Sequence, residues 1–101
     1  MEKILGVYVS SDHNLNQLIK LCRSAKKKGV KVKLFFTHLG TRLCTDSRLI
    51  ELEGLADIAL CKVGLEDNKI DISEAKIDKK GFSSQSWHAE MIYACDRYIT
   101  F

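Results

Sequence analysis

A strand–helix–strand pattern at the start of the chain constrains its fold more than any other feature. Residues 4–9 form a continuous apolar run of β-forming residues, which is typical of a strand buried on both faces. Residues 30–37, directly after Gly29, form a second predicted strand, with apolar residues at Val32, Leu34, Phe35 and Phe36. Between them, apolar residues recur at the spacing of one helix face: Leu15, Leu18, Ile19, Cys22 and Ala25. A helix between two buried strands predicts a parallel pair joined by a right-handed crossover.

Capping residues and glycines mark the expected helix ends. We expect the cap of the first helix within residues 10–12, where Ser and Asp side chains are available, and its end at Gly29. A second helix is predicted with Thr45 or Asp46 as its cap and Gly54 at its end. Its apolar positions are Leu49, Ile50 and Leu52.

The second half of the chain continues the alternation. Residues 55–61 read as a third strand and residues 97–101 as the last one. Residues 64–80 are polar, and we expect a helical turn and a short edge strand near Ile77.

A third helix is predicted before the last strand. Phe82 precedes the cap Ser83, and Trp87 sits at the spacing of a hydrophobic staple. Met91 and Ala94 continue the apolar face. The order of elements predicts one α/β domain over residues 1–101, a three-layer sandwich with a mainly parallel sheet.

Composition and charge narrow the class of protein. The apolar run at residues 4–9 is too short for a signal peptide, and no stretch approaches the length of a membrane span. We therefore expect a cytoplasmic protein without a membrane partner. The basic run at residues 26–28 has no interleaved aromatic residues, so we interpret it as a solvated helix end and expect no nucleic-acid partner.

Several common chemistries lack their motifs. The chain has no G-x-G-x-x-G and no Walker A loop, so we expect no cofactor. It has no proline, which a thioredoxin-like site requires, and no cysteine followed by arginine at the phosphatase spacing. Its four cysteines form no CxxC and no metal-finger spacing, so we expect reduced thiols and no metal site.

Cys61 is the candidate catalytic residue. It ends the third strand, and the carboxyl ends of parallel strands are where α/β proteins bind ligands. Lys62 follows it, and together with a helix start it would favour the nucleophilic thiolate. The alternative is that Cys61 is a small buried hydrophobic residue, as most unpaired cysteines are.

Other residues near this edge are candidates to assist Cys61 or to act as the reactive thiol in its place. Cys44 follows the second strand and is the runner-up thiol, and His38 is a possible helper that would stabilise a thiolate or an anionic ligand. We expect Cys22 and Cys95 to be packed in the core, and His13 and His88 to be surface residues. A zinc site built from His38, Cys44, Cys61 and His88 is an alternative, although its spacing is not that of known zinc motifs.

Three features of the sequence resemble the DsrE/DsrF/DsrH-like family, which includes the TusD sulfur-transfer proteins. Residues 31–37, together with Gly40, resemble the second strand of the family and the loop after it. Cys61 falls where active members place their persulfide-carrying cysteine. Residues 94–101 resemble the closing "aD-x-v-x-tF" strand of the family. The resemblance covers nearly the whole chain.

The resemblance implies a parallel sheet of about five strands between helices, and assembly into trimers or hexamers. It also implies that sulfur is carried as a persulfide on Cys61, with sulfur donor and acceptor proteins as partners. Exposed aromatic candidates independently favour a homo-oligomer: Tyr93, Tyr98 and Phe82. The rival hypothesis is a binding or assembly subunit without covalent chemistry, so the sequence leaves open whether the chain is an enzyme.

Overall fold

The computed structural model describes residues 3–52, 54–71, 73, 82–83 and 85–101, and leaves out the side chains of residues 82–83 and 85–87. Strands and helices alternate along the chain. The elements are β1 (Lys3–Val9), α1 (Leu15–Lys27), β2 (Val30–Phe36), two 3₁₀ helices (His38–Thr45 and Ser47–Leu52), β3 (Asp57–Cys61), α2 (Lys62–Asp67), β4 (Phe82–Ser83), α3 (Gln85–Ala94) and β5 (Arg97–Thr100).

The strands form one sheet in the order β4-β3-β2-β1-β5, and every neighbouring pair is parallel. The prediction of an α/β fold with a mainly parallel sheet is therefore confirmed. The strands predicted at residues 4–9, 30–37, 55–61 and 97–101 are present, with ends that differ by one or two residues. Among the described helices, none is long and apolar enough to span a membrane.

Strand order determines which face each helix covers. The connections from β1 to β4 all step in one direction along the sheet, whereas the connection from β4 to β5 returns past β1. Because parallel crossovers are right-handed, α1 and the 3₁₀ helices lie on one face and α3 on the other. The carboxyl ends of all strands meet at one edge, which is where the sequence predicted the site.

The larger core lies between the sheet and α1. Alternate strand residues such as Val7, Leu34 and Leu60 are buried there, as expected from the two-residue period of a strand. The predicted apolar face of α1 is confirmed, because all five of its residues are buried. Each fully buried Leu contributes roughly 1.5–3 kcal/mol to folding. Cys22 lies in this core, and burial raises the pKa of its thiol to about 11.

A smaller core lies on the opposite face, under α3. It contains Phe35, Ala59, Cys61 and Met91, with Tyr8 packed against it. Gly6 of β1 lets α3 and the residue after it come close to the sheet, because a Cβ atom at this position would lie 3.4 Å from Met91 Cγ and 3.1 Å from Cys95 Sγ.

Two local predictions were wrong, and a third was only partly confirmed. The segment predicted as a second α-helix forms 3₁₀ helices, whose period of three buries Leu49 and Leu52 and leaves Ile50 52% exposed. The N-cap of α1 is Asn14, outside residues 10–12, and its side chain makes no capping hydrogen bond.

The apolar face predicted for α3 is only partly formed, since Met91 is buried but Ala94 is exposed. The edge strand expected near Ile77 and the staple between the side chains of Phe82 and Trp87 lie outside the described residues.

Candidate thiol site at the carboxyl edge of the sheet

Cys61 occupies the junction between a strand and a helix. It is the last residue of β3 and the N-cap residue of α2, with an extended backbone at φ −74° and ψ 120°. Its backbone pairs with Ser83 of β4. Its side chain belongs to the smaller core and is 5% exposed. The sequence correctly predicted the strand end and the helix start, and the structure adds that the thiol is nearly covered.

Close packing fixes the start of α2. A Cβ atom at Gly64 would lie 2.7 Å from Thr41 Cγ2 and 3.2 Å from the backbone nitrogen of His38, so α2 lies directly on the first 3₁₀ helix. The Asn68 side-chain amide donates hydrogen bonds to His38 O and Thr41 Oγ1, both at 2.8 Å. These contacts join the turn after Cys61 to the first 3₁₀ helix and so hold it in place.

The loop that carries His38 folds tightly over the end of β1. Thr37 donates its backbone N–H to Val9 O at 2.9 Å, and a Cβ atom at Gly40 would lie only 2.1 Å from the same oxygen. Only glycine fits this approach. His38 has a left-handed backbone, with φ 49°, and its ring is exposed. Its hydrogen bonds to Thr41 and Asn68 are made through its carbonyl oxygen.

The other candidate residues lie in different environments from that of Cys61. Lys62 is the exposed first residue of α2, next to Cys61 in the chain. Cys44 is fully buried in the larger core, whereas Cys61 belongs to the smaller core. In the part of the chain that the structure describes, no group of three or more His, Cys, Asp or Glu residues is placed to hold a metal ion. The zinc alternative therefore gains no support from the arrangement of His38, Cys44, Cys61 and His88.

The sequence analysis missed His88 as a residue of the smaller-core face. Its ring stacks on Phe35 with a centroid distance of 4.8 Å and an angle of 6°, and it lies 4.8 Å from the ring of Tyr8. His88 Nε2 is 2.9 Å from the hydroxyl oxygen of Tyr98. Partial burial lowers the pKa of His88 and raises that of Tyr98. His88 is only half-buried, so it still reaches the surface as predicted, but the sequence analysis did not foresee its contacts with these rings.

A sequence signal for this cluster exists in retrospect. His88 precedes the buried Met91 by three residues, so both lie on the same face of α3. Tyr8 and Phe35 are partners in the parallel register of β1 and β2. The cluster places a neutral imidazole and a phenol on the same sheet face as Cys61, and Phe35 is common to both groups. A neutral imidazole is able to accept a proton from a nearby acid.

The fold and the site together define an α/β protein with a parallel sheet and a thiol at its carboxyl edge. No family model matches the chain, and no curated protein matches it. The resemblance to the DsrE/DsrF/DsrH-like family therefore stays a prediction that rests on the sequence features described above.

Proposed function

We propose that this chain is a sulfur-relay protein that carries sulfur as a persulfide on Cys61 and passes it to a partner protein. The observation that supports this most is the position of Cys61 at the end of β3, where the chain turns into α2. Ligands and reactive groups of parallel α/β proteins collect at this edge. The resemblance described above places the persulfide-carrying cysteine at the same point.

The proposed chemistry is a sulfur exchange without net oxidation. The Cys61 thiolate attacks the outer sulfur of a donor persulfide, R–S–SH. A new S–S bond forms on Cys61 Sγ as the S–S bond of the donor breaks, and the donor leaves as the thiolate R–S⁻. The thiol proton of Cys61 passes to solvent before the attack. In the second transfer, a thiolate of the acceptor attacks the outer sulfur of the Cys61 persulfide, and Cys61 leaves as a thiolate.

Burial of Cys61 fits a carrier that reacts slowly with small molecules in solution and faster with a bound partner. The Cys61 side chain is only 5% exposed, so movement of its neighbours would increase its access to a sulfur donor. A persulfide in this position would likewise react slowly with small thiols between transfers. Lys62 and His38 are the proposed helpers, because both are exposed near the turn and would meet a partner that approaches this edge.

The proposal includes finer features that follow from the resemblance. They are a three-layer sandwich with a sheet of about five strands, a cytoplasmic location, and assembly into a trimer or hexamer. Exposed apolar side chains support the assembly, since Tyr93 is 94% exposed and Ile92 is 47% exposed.

Persulfide labelling tests the proposal. The protein is incubated with a low-molecular-weight persulfide, and added sulfur is located by mass spectrometry in the wild type and in three Ser variants, at Cys61, Cys44 and Cys95. Cys95→Ser is the matched control, because Cys95 is more exposed than Cys61. We expect the label on Cys61 and its loss only in Cys61→Ser. Cys22 should stay unlabelled, because its raised pKa keeps it protonated.

The remaining outcomes contradict the proposal in different ways. A label on Cys44 would make the runner-up thiol the carrier. A label that is confined to Cys95 would show that the reaction follows exposure alone. If no thiol is labelled and Cys61 resists alkylation in the folded protein, Cys61 is a core residue.

A second candidate function is a non-covalent binding or assembly subunit. The observation that favours it is the packing of Cys61 with Phe35, Ala59 and Met91 in the smaller core. In that case the Cys61→Ser variant should retain assembly, and no persulfide should form on any cysteine.

A further inference from the structure

A groove of about 440 Å³ opens at the amino-terminal edge of the sheet, far from the thiol site. It lies where α1 ends and where β2 and β3 begin. We call it the lysine cleft, and its defining residues are Lys26, Val30, Lys31, Gly54, Leu55 and Asp57. Because parallel strands all point away from this edge, it is the opposite end of the sheet from Cys61.

Two lysines stand at the sides of the lysine cleft. Lys26 Nζ donates a hydrogen bond to Gly54 O at 2.7 Å, which places its charge between the end of α1 and the turn before β3. Lys31 Nζ lies 3.5 Å from Asp57 Oδ2, and the side chains of this pair are 42% and 56% exposed. The lining also contains the apolar residues Val30, Val32, Leu55 and Ala56. The cleft therefore combines an apolar surface with an accessible cationic rim.

The cationic rim continues beyond the lysine cleft. A second opening of about 240 Å³ lies on the other side of the turn between α1 and β2, and Lys3, Lys28 and Arg97 line it. Its carboxylate, Asp96, accepts a hydrogen bond from the backbone nitrogen of Ile4 at 2.8 Å. The described lining of the two openings carries more positive than negative side chains. The acidic residues are Asp57 and Asp96, and the basic residues are Lys3, Lys26, Lys28, Lys31 and Arg97.

We propose that the lysine cleft is a docking site for an acidic segment of a partner protein that also carries aliphatic side chains. The lysines supply charge complementarity for its carboxylates, and the apolar lining of the cleft accommodates its aliphatic groups. A protein segment fits better than a nucleic acid, because the described lining of both openings contains no aromatic residue on which bases would stack. This site goes beyond the proposed sulfur transfer and does not depend on it.

Binding of a model peptide tests the lysine cleft. The probe is a short fluorescein-labelled peptide that alternates Glu with Leu, and its affinity for the full chain is measured by anisotropy at low salt. We expect Lys26→Glu and Lys31→Glu each to weaken binding by about five- to tenfold, because each replaces an attraction by a repulsion. Affinity should also fall as salt is added.

The matched control is Lys20→Glu. Lys20 is exposed on the same helix and its substitution changes the net charge equally, but it does not line the cleft. We expect it to change the affinity by less than about twofold. In NMR spectra, peptide-induced shifts should be confined to residues 26–32 and 54–57. Circular dichroism of each variant confirms that it is folded.

Three results would overturn the docking site: no peptide binding, equal weakening by Lys20→Glu and Lys26→Glu, or tighter binding of a single-stranded DNA of equal charge. A Cys61→Ser protein should bind the peptide as the wild type does, so failure of the sulfur-relay proposal would leave this result unchanged.

Discussion

At the scale of single residues, the neighbours of His88 determine its protonation state. Its ring is stacked on Phe35, and its Nε2 lies at hydrogen-bond distance from the hydroxyl of Tyr98. Desolvation at this position disfavours the charged imidazolium, which is why its pKa falls below the ordinary value of 6.5. His88 is therefore a neutral member of the smaller-core face at physiological pH.

This shift predicts a pH-dependent stability. The pKa of His88 is lower in the folded chain than in the unfolded chain, so the unfolded chain takes up the proton first as the pH falls. The free energy of unfolding therefore decreases as the pH drops from about 6.5 towards the lowered pKa of the folded state. His88→Phe keeps an aromatic ring on Phe35 and removes the titrating group. We expect the wild type to lose more unfolding free energy than His88→Phe between pH 7 and pH 5, as measured by urea denaturation.

The comparison between the two proteins isolates His88, because both proteins retain His13 and His38. An equal loss of stability in the two proteins would show that protonation of His88 does not oppose folding.

At the scale of elements, the seating of α2 on the first 3₁₀ helix determines where Cys61 lies. Gly64 makes this contact, since a Cβ atom there would overlap Thr41 Cγ2 at 2.7 Å. The hydrogen bonds of Asn68 join the same two elements. The candidate thiol is thus positioned by a helix pair as well as by its own strand.

Gly64→Ala should destabilise the protein by about 1–3 kcal/mol in urea denaturation, because the added methyl group overpacks the contact with Thr41. The higher helix propensity of Ala offsets at most about 1 kcal/mol. Thr41→Ser removes the clashing methyl group and keeps the hydroxyl. In the double variant, the added cost of Gly64→Ala should therefore be smaller than in the wild-type background, and an unchanged cost would rule out this contact as the cause.

The elements also show what the sequence was able to predict. β1 follows from a continuous apolar run, α1 from a clear helical period, and β2 from its apolar residues after Gly29, because these patterns reflect burial within each element. The segment with Leu49 and Leu52 was assigned to an α-helix because a spacing of three residues fits both α and 3₁₀ helices.

The candidate site, like the fold, could be predicted from the sequence only in part. The place of Cys61 at a strand end is a local property of its sequence, and it was predicted. The contacts of His88 with Phe35 and Tyr98 join three different elements, so the spacing of His88 from Met91 indicates its face of α3 but not these partners. The burial of Cys61 likewise depends on Met91, a residue thirty positions away in the chain.

At the scale of the whole molecule, the two faces of the sheet are covered unequally. The larger core holds most of the buried residues, and only α3 among the described helices covers the other face. The outer side of α3 carries Ile92, which is 47% exposed, and Tyr93, which is 94% exposed. Exposed apolar groups that lie side by side are typical of a surface that contacts another protein.

We therefore expect a homo-oligomer that depends on the exposed side of α3. In multi-angle light scattering at micromolar concentration, Tyr93→Glu and Ile92→Lys should each shift the protein towards the monomer, because both place a charge in a contact that excludes water. Glu90→Gln, at an exposed position of the same helix, is the control and should not change the assembly. A wild-type protein that is monomeric under these conditions would refute the expectation.

The direction of the strands has a consequence for how many proteins this molecule can engage at once. Asp57 at the lysine cleft and Cys61 at the thiol site are the two ends of β3, which lie roughly 13 Å apart along the strand, at opposite edges of the sheet. On the two proposals made above, a protein bound at the lysine cleft would leave the edge with Cys61 open to other proteins. The chain would then stay anchored to one protein throughout a transfer, while successive donors and acceptors bind in turn at the opposite edge.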